Sequence, residues 1–283
     1  MKRVLVTGCR GQVGVEVVRA LGSDAQVIAH DRGSLDLARP ADIVARVREA
    51  RPQVVVNAAA YTAVDRAESD AAAAEAVNAV APGILADECR RAGALLIHYS
   101  TDYVFDGAKQ EPYVESDEVN PLNVYGRTKL EGERAIAASG CEHLILRTSW
   151  VYGPHGKNFL LTMLRLARER DELRVVDDQH GAPTSSLQLA RLTRELILAP
   201  KARASGVFHA SAAGETTWFG FAQAIFARRP AAPRLVPIAS SEYPTPARRP
   251  RNSVLSSERL ASVLGERLGD WRHGLDEVLG SIP

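Results

Sequence analysis

No stretch of this 283-residue chain approaches the roughly 18 apolar residues that a membrane-spanning helix needs. The apolar run at the start, within Met1–Gly8, is too short for a signal sequence and ends in a glycine turn. An excess of either charge is also missing. Lys+Arg number 35 against Asp+Glu 34, a net charge of +1, so there is no basic field for nucleic acid and no polybasic cluster for a membrane surface. Cysteine is scarce: Cys9, Cys89 and Cys141 are scattered, odd in number and never at metal-ligand spacing. Reduced thiols in a cytoplasmic protein are the expectation. Lysine is scarce too, five residues against 30 arginines. Repeats, low-complexity tracts and flexible linkers are absent.

What remains is a pattern. Arg3–Thr7 is an apolar, β-branched run ending at a glycine, and Val13–Leu21 follows with helical periodicity. Gln26–His30, Val54–Asn57, Leu95–Ser100 and His143–Thr148 are further strand candidates, with helical stretches near Ala41–Ala50, Ala71–Ala92 and Gly126–Ala138 between them. Strand–helix alternation at this spacing predicts a doubly wound α/β fold with a parallel, Rossmann-type sheet and its ligand site at the strand C-termini. Beyond Thr148 the pattern changes. Helices are expected over Asn158–Glu169, Ser186–Leu198, Thr217–Ala227, Ser256–Leu264 and Trp271–Leu279, and Pro230–Pro250 reads as ordered loop. Residues 1–150 are expected to bind a dinucleotide, and 151–283 to form mainly a smaller substrate-binding lobe, with room for segments returning to the sheet.

Gly8, Gly11 and Gly14 lie between the first strand and first helix with the spacing G-x-x-G-x-x-G. Gly8 permits the turn, Gly11 lets backbone approach a pyrophosphate, and Gly14 lets the helix pack close. The helix N-terminal N–H groups then face phosphate. Asp31, at the end of the second strand, suits a ribose 2′-hydroxyl, whereas Arg32 suits a 2′-phosphate, so NADH and NADPH both stay open. Asn57-Ala58-Ala59-Ala60 offers a wall of small side chains for a flat ribose–nicotinamide.

Tyr125 and Lys129 lie four apart on one helical face. A hydride given to a carbonyl leaves an alkoxide that needs a proton. A tyrosine can supply it if a nearby ammonium and an oxidised nicotinamide lower its pKa from about 10. In an arginine-rich chain, a lysine here suggests a specific need. Thr101, within Ser100-Thr101-Asp102 at a strand end, can polarise the same carbonyl. Trp150 follows another strand end and either covers a sugar face or packs the smaller lobe. Trp218, Phe219 and Phe221 read as packing, and His180 and His209 as structural. Arg248, Arg249 and Arg251 form a charged loop or meet a diphosphate.

These segments, with Tyr99–Gly107, Pro121–Gly126, Arg147–Gly153, Gly181–Thr184 and Arg249–Ser253, resemble the extended short-chain dehydrogenases over essentially the whole chain. Within that family they resemble the 4-ketoreductases of nucleotide-linked 6-deoxysugars. The resemblance implies a catalytic trio of Thr101, Tyr125 and Lys129. It implies cofactor contacts at Gly11, Gln12, Val13, Asp31, Asp36, Leu37, Ala60, Tyr61 and Thr62, and a sugar pocket including Asp102, Tyr103 and Trp150. In related dehydratases a glutamate acid–base follows the Thr-Asp pair. Tyr103 stands there instead, which favours simple reduction. Some members hold Mg²⁺ at a dimer interface through glutamates. Glu16 matches one, but Ser185 follows Thr184 where another is expected, so no metal is expected and a homodimer is left open. The other reading is a non-catalytic regulatory subunit keeping the same fold, as in the methionine adenosyltransferase β subunit.

Overall fold

The apolar runs can be buried on both faces because helices cover the sheet from both sides. The computed structural model describes residues 1–198, 205–229 and 232–282. In it β1 (Lys2–Thr7), β2 (Ala25–His30), β3 (Val54–Asn57), β4 (Leu95–Thr101) and β5 (His143–Thr148) join the strand Gly206–His209 in one sheet. The order is Gly206–His209, β5, β4, β3, β1, β2, and every pairing is parallel. This is the doubly wound α/β architecture that the alternation predicts. Side chains alternate between two cores. Val4, Val6, Val54, Val56 and Ile97 face helices Gln12–Leu21 and Ser186–Leu198, through Val17, Leu21 and Leu189. Leu5, Val55, Leu96 and Ile145 face Pro40–Ala50, Ala81–Ala92 and Val124–Ser139, through Ile43, Leu85 and Ile136.

From β1 the chain winds one way to β2 and the other way to β3. The topological switch therefore lies between β1 and β3, where such sheets bind ligands beyond the strand C-termini. Thr7 and Asn57 are register partners, so the glycine loop after β1 stands beside Ala58–Ala60. The chain beyond Thr148 contributes to two bodies. Helix Ser186–Leu198 and strand Gly206–His209 belong with the main sheet. Helices Phe159–Leu166, Trp218–Phe226 and Trp271–Ser281 gather a separate core of Tyr152, Leu160, Phe221, Ile225 and Leu275. No helix among the described residues is long and apolar enough to cross a membrane.

One expectation is refined and one corrected. The helical stretch Ala71–Ala92 is continuous, but its α-helical parts Ala71–Glu75 and Ala81–Ala92 are joined by a π turn at Ala76–Val80. The wider turn carries Asn78, whose amide accepts from Tyr61 N (2.8 Å) and donates to Tyr61 O (3.1 Å). The Pro230–Pro250 stretch, read as loop, contains the strand Arg234–Ile238, paired in parallel with Glu172–Val176; residues 230–231 lie outside those described. Pro237 is tolerated because a two-stranded sheet leaves an open edge for a residue without an N–H.

Candidate active site

The glycine loop is shaped by backbone contacts. Gly8 has φ +65, and a Cβ there would lie 2.8 Å from Ala59 Cα. A Cβ on Gly14 would lie 2.2 Å from the Gly8 carbonyl oxygen. Gly11 differs, since its Cβ would meet only Gly8 O, at 3.2 Å, leaving its outer side open. It is also the N-cap of helix Gln12–Leu21 and supplies no side-chain cap. The first-turn N–H groups are thus left for an anion, and the loop fits a dinucleotide pyrophosphate. Gln12 accepts from Asn158 Nδ2 (2.9 Å), tying the loop to the second body. Val13 packs against the sheet core.

Asp31 is more committed than its sequence position suggests. Its Oδ1 accepts from Gly33 N (3.0 Å) and Ser34 N (3.1 Å), and its Oδ2 meets Arg10 Nε at 2.8 Å. The Ser34 hydrogen bonds, with Arg10 and Gly33, hold its carboxyl below the usual range. Arg10, in the glycine loop, is exposed and meets Asp31 next to exposed Arg32. Asp36 accepts from Ala38 N (3.0 Å) and Leu37 is buried in the core. Ala58 and Ala60 are half-buried and Thr62 is exposed. The Tyr61 hydroxyl donates to Asp70 (3.0 Å).

Thr101 ends β4, where its Oγ1 donates to Asp102 Oδ1 (2.9 Å) and accepts from Tyr103 N (3.1 Å). The helix Val124–Ser139 starts at Asn123, whose Oδ1 caps Gly126 N (2.8 Å). A Cβ on Gly126 would lie 2.1 Å from Tyr103 O, so the glycine lets this helix press against the Thr101–Tyr103 turn. Tyr125 meets Tyr103 edge-on, ring centroids 5.9 Å apart. Tyr125 keeps part of its ring open, but desolvation of the hydroxyl pushes the phenol up to about 12, with Thr101 beside it acting the other way. Lys129 is not among the groups that shift Tyr125 in the protein alone, and the lysine is engaged elsewhere. Lys129 Nζ is buried, donates to Tyr99 O (2.6 Å) and lies 3.1 Å from His98 Nε2. Burial brings its pKa down to about 8, opposed by Glu133. Glu133 itself is held by Arg147 (2.7 Å) and by the Ser100 hydroxyl.

Burial also raises Asp102 to about 7, against hydrogen bonds from Ser253 and Thr101. Its buried Oδ2 has no well-aligned partner among the described residues. Desolvation pushes the Tyr103 phenol up as well.

Trp150 adopts a left-handed backbone, φ 48, a conformation that costs a bulky residue about 1–2 kcal/mol. Its indole stacks on Trp218, centroids 3.6 Å apart and planes within 6°. It crosses Gly181 so closely that a Cβ there would lie 2.4 Å from the ring. Trp218 thus does more than pack the lobe: it fixes Trp150. His209 is structural, with Nδ1 3.1 Å from Tyr113 O and burial bringing its pKa down to about 3. Arg249 is taken up by Asp65 (2.8 Å) and Arg248 O accepts from Asn123 (2.8 Å), so this loop is strapped to the site's rim.

A family model described as the RmlD substrate binding domain matches residues 1–282. A dTDP-4-dehydrorhamnose reductase of Burkholderia thailandensis is 51% identical over 287 residues, covering 96% of each chain. One from Escherichia coli K12 is 44% identical over 291 residues, covering 99% of this chain and 97% of its own. The crystal structure of a Bacillus anthracis dTDP-4-dehydrorhamnose reductase in complex with NADP superposes with a TM-score of 0.94, at 33% identity and 99% coverage of both chains.

Proposed function

The chain belongs to the family of the RmlD substrate binding domain, and on that premise we propose how it works. It catalyses the NAD(P)H-dependent reduction of the 4-keto group of a nucleotide-linked 6-deoxysugar, converting dTDP-4-dehydrorhamnose to dTDP-rhamnose. The observation that supports the residue assignment is that Thr101, at the C-terminal end of β4, lies beside the Tyr125 hydroxyl, while buried Lys129 from the same helix as Tyr125 donates to Tyr99 O two residues before Thr101. Residues 1–150 hold the dinucleotide and the catalytic residues, and the chain from 151 onward forms mainly a smaller substrate-binding lobe, with helix Ser186–Leu198 and strand Gly206–His209 belonging with the main sheet. Gly11, Gln12 and Val13 hold the pyrophosphate, Asp31 with Arg10 and Arg32 the adenosine ribose, and Ala58–Thr62 the nicotinamide side. NADPH or NADH supplies the hydride when bound. Thr101 polarises the keto oxygen and Tyr125 gives it a proton. Burial keeps the phenol protonated and ready to donate, and the positive charge of Lys129 favours the phenolate left behind. Asp102, with its spare Oδ2, suits a sugar hydroxyl. Tyr103 offers no carboxylate for dehydration. Three free cysteines support a reducing, cytoplasmic setting.

The cofactor choice is testable at Arg10. Arg10→Ala is expected to weaken NADPH about tenfold, near 1.4 kcal/mol, and NADH little, since only a 2′-phosphate uses the guanidinium. Asp31→Ala shifts preference towards NADPH. Fluorescence titration of both cofactors checks this; equal changes for the two remove Arg10 and Asp31 from the choice.

Trp150→Ala is expected to raise KM for the keto-sugar more than about tenfold while the NADPH Kd holds. The lost stack with Trp218 costs about 0.5–1.5 kcal/mol of stability. A normal KM with a melting temperature lowered by several degrees reduces Trp150 to packing.

A further inference from the structure

Thr7, Asn57 and His98 occupy one lateral row of the sheet, in register across β1, β3 and β4. All three are buried polar residues. Their side chains form a chain of contacts: Thr7 Oγ1 to Asn57 Oδ1 at 2.7 Å, Asn57 Nδ2 to His98 Nδ1 at 3.0 Å, and His98 Nε2 to Lys129 Nζ at 3.1 Å. Burial and the neighbouring lysine hold His98 well below its ordinary pKa, so the ring is neutral and carries one proton.

Donor counting then links the ring to the lysine. If Asn57 donates to Nδ1, the ring proton sits on Nε2, and only an uncharged Lys129 can receive it. If the amide is turned over, its two ends being nearly isosteric, Asn57 Nδ2 donates to Thr7 Oγ1, a hydroxyl that accepts as well as donates, and Asn57 Oδ1 accepts from Nδ1–H. Nε2 is then free to accept from an ammonium. The cationic lysine and the Nδ1–H tautomer therefore occur together, and the neutral lysine and the Nε2–H tautomer occur together.

We propose that His98 is a positioning residue for Lys129: as the Nδ1–H tautomer it accepts from the ammonium, fixes Nζ against Tyr99 O, and keeps the lysine cationic while the enzyme turns over. This rests on the reductase reading of Tyr125 and Lys129. The groups acting on the lysine from each packed element are few. Its own helix brings Tyr125 and Glu133, with Glu133 shared by Arg147 of β5 and Ser100 of β4. The strand β3 brings neutral Asn57, the π turn brings Asn78 against Thr128, and the end of β4 brings Asp102. His98 is the one of these that touches Nζ without belonging to its helix or to the backbone.

The sign of the effect follows from burial. A desolvated ammonium deprived of an acceptor loses its proton at lower pH. Glutamine can place its amide oxygen near Nε2 and still accept from Lys129, whereas the shorter asparagine keeps the contact with Asn57 and falls short of Nζ. In His98→Asn the alkaline limb of kcat is expected to move down from near 8 by about one pH unit, so that kcat falls about twofold at pH 7 and about fivefold at pH 8, with keto-sugar KM within about threefold. His98→Gln is expected to retain the wild-type limb. A second readout needs neither cofactor nor turnover. Nitrogen NMR of the imidazole in the cofactor-free protein should show His98 as the Nδ1–H tautomer at neutral pH, its Nε2 signal titrating near pH 8 with the lysine and ceasing to do so in Lys129→Met. An Nε2–H tautomer throughout, or identical kcat–pH profiles in the Asn and Gln variants, overturns the proposal. Should His98→Asn fail to fold, the tautomer measurement on the wild type decides alone. A wild type that does not reduce the keto-sugar defeats the reductase reading and leaves the tautomer result standing.

Discussion

Tyr125→Phe is expected to lose about 10²–10⁴-fold in kcat, the range typical of general acid–base catalysis, with cofactor affinity little changed. The variant removes one oxygen and keeps the ring that meets Tyr103 edge-on at 5.9 Å, so the packing of the helix on the Thr101–Tyr103 turn survives. The phenol sits in surroundings that disfavour its anion, up to about 12 in the protein alone, so it enters the reaction with its proton in place. Thr101 gives its single hydroxyl proton to Asp102 in the protein alone and must turn it to the keto oxygen to polarise it, so it serves there as a hydrogen-bond donor and not as the proton source. Stopped-flow measurement of single-turnover cofactor oxidation isolates the chemical step. A variant keeping more than about half the wild-type rate, where a general acid predicts at least a hundredfold loss, would show that another group delivers the proton.

Gly11→Val is the second large effect. Its Cβ would meet protein only at Gly8 O, 3.2 Å away, a contact that a small backbone adjustment relieves, so the fold should persist. The branched methyl groups instead occupy the outer side of the loop, in front of the uncapped first turn of helix Gln12–Leu21. NADH and NADPH affinity should both fall by at least about a hundredfold, near 2.7 kcal/mol. Gly14→Val behaves differently, because its Cβ would lie 2.2 Å from the Gly8 carbonyl oxygen, and it is expected to damage folding. Titration of cofactor fluorescence together with far-UV circular dichroism separates the two. Unchanged cofactor affinity in a folded Gly11→Val protein removes the pyrophosphate from this loop.

Much of this was legible in the chain because it is local. A β-branched run followed by Gly8, Gly11 and Gly14 announces strand, turn and helix from adjacent residues, and Tyr125 with Lys129 share a helical face by spacing alone. Asn123 could have been read as the N-cap that starts their helix. Other features depend on chain segments far apart. His98 looks like one more residue of a buried strand until the register brings Asn57 beside it and the helix brings Lys129. Arg10 sits in the glycine loop like any exposed arginine until Asp31 meets it across the β1–β2 pair. The π turn at Asn78 leaves no periodic mark over five residues, and the strand Arg234–Ile238 was hidden by its proline and by a partner, Glu172–Val176, some sixty residues earlier. Trp218 carried the signature of a packed aromatic, and only its stacking on the left-handed Trp150 ties it to the site.

The most direct test of the account is hydride tracing in the wild-type protein. NADPH carrying deuterium at the transferable position of the nicotinamide would be incubated with dTDP-4-dehydrorhamnose, and the product analysed by mass spectrometry and proton NMR. The account predicts one deuterium in the sugar, located at C4, with one cofactor oxidised per sugar reduced and with the reaction lost in Tyr125→Phe. Cofactor left unoxidised, or a product without deuterium at C4, would contradict it.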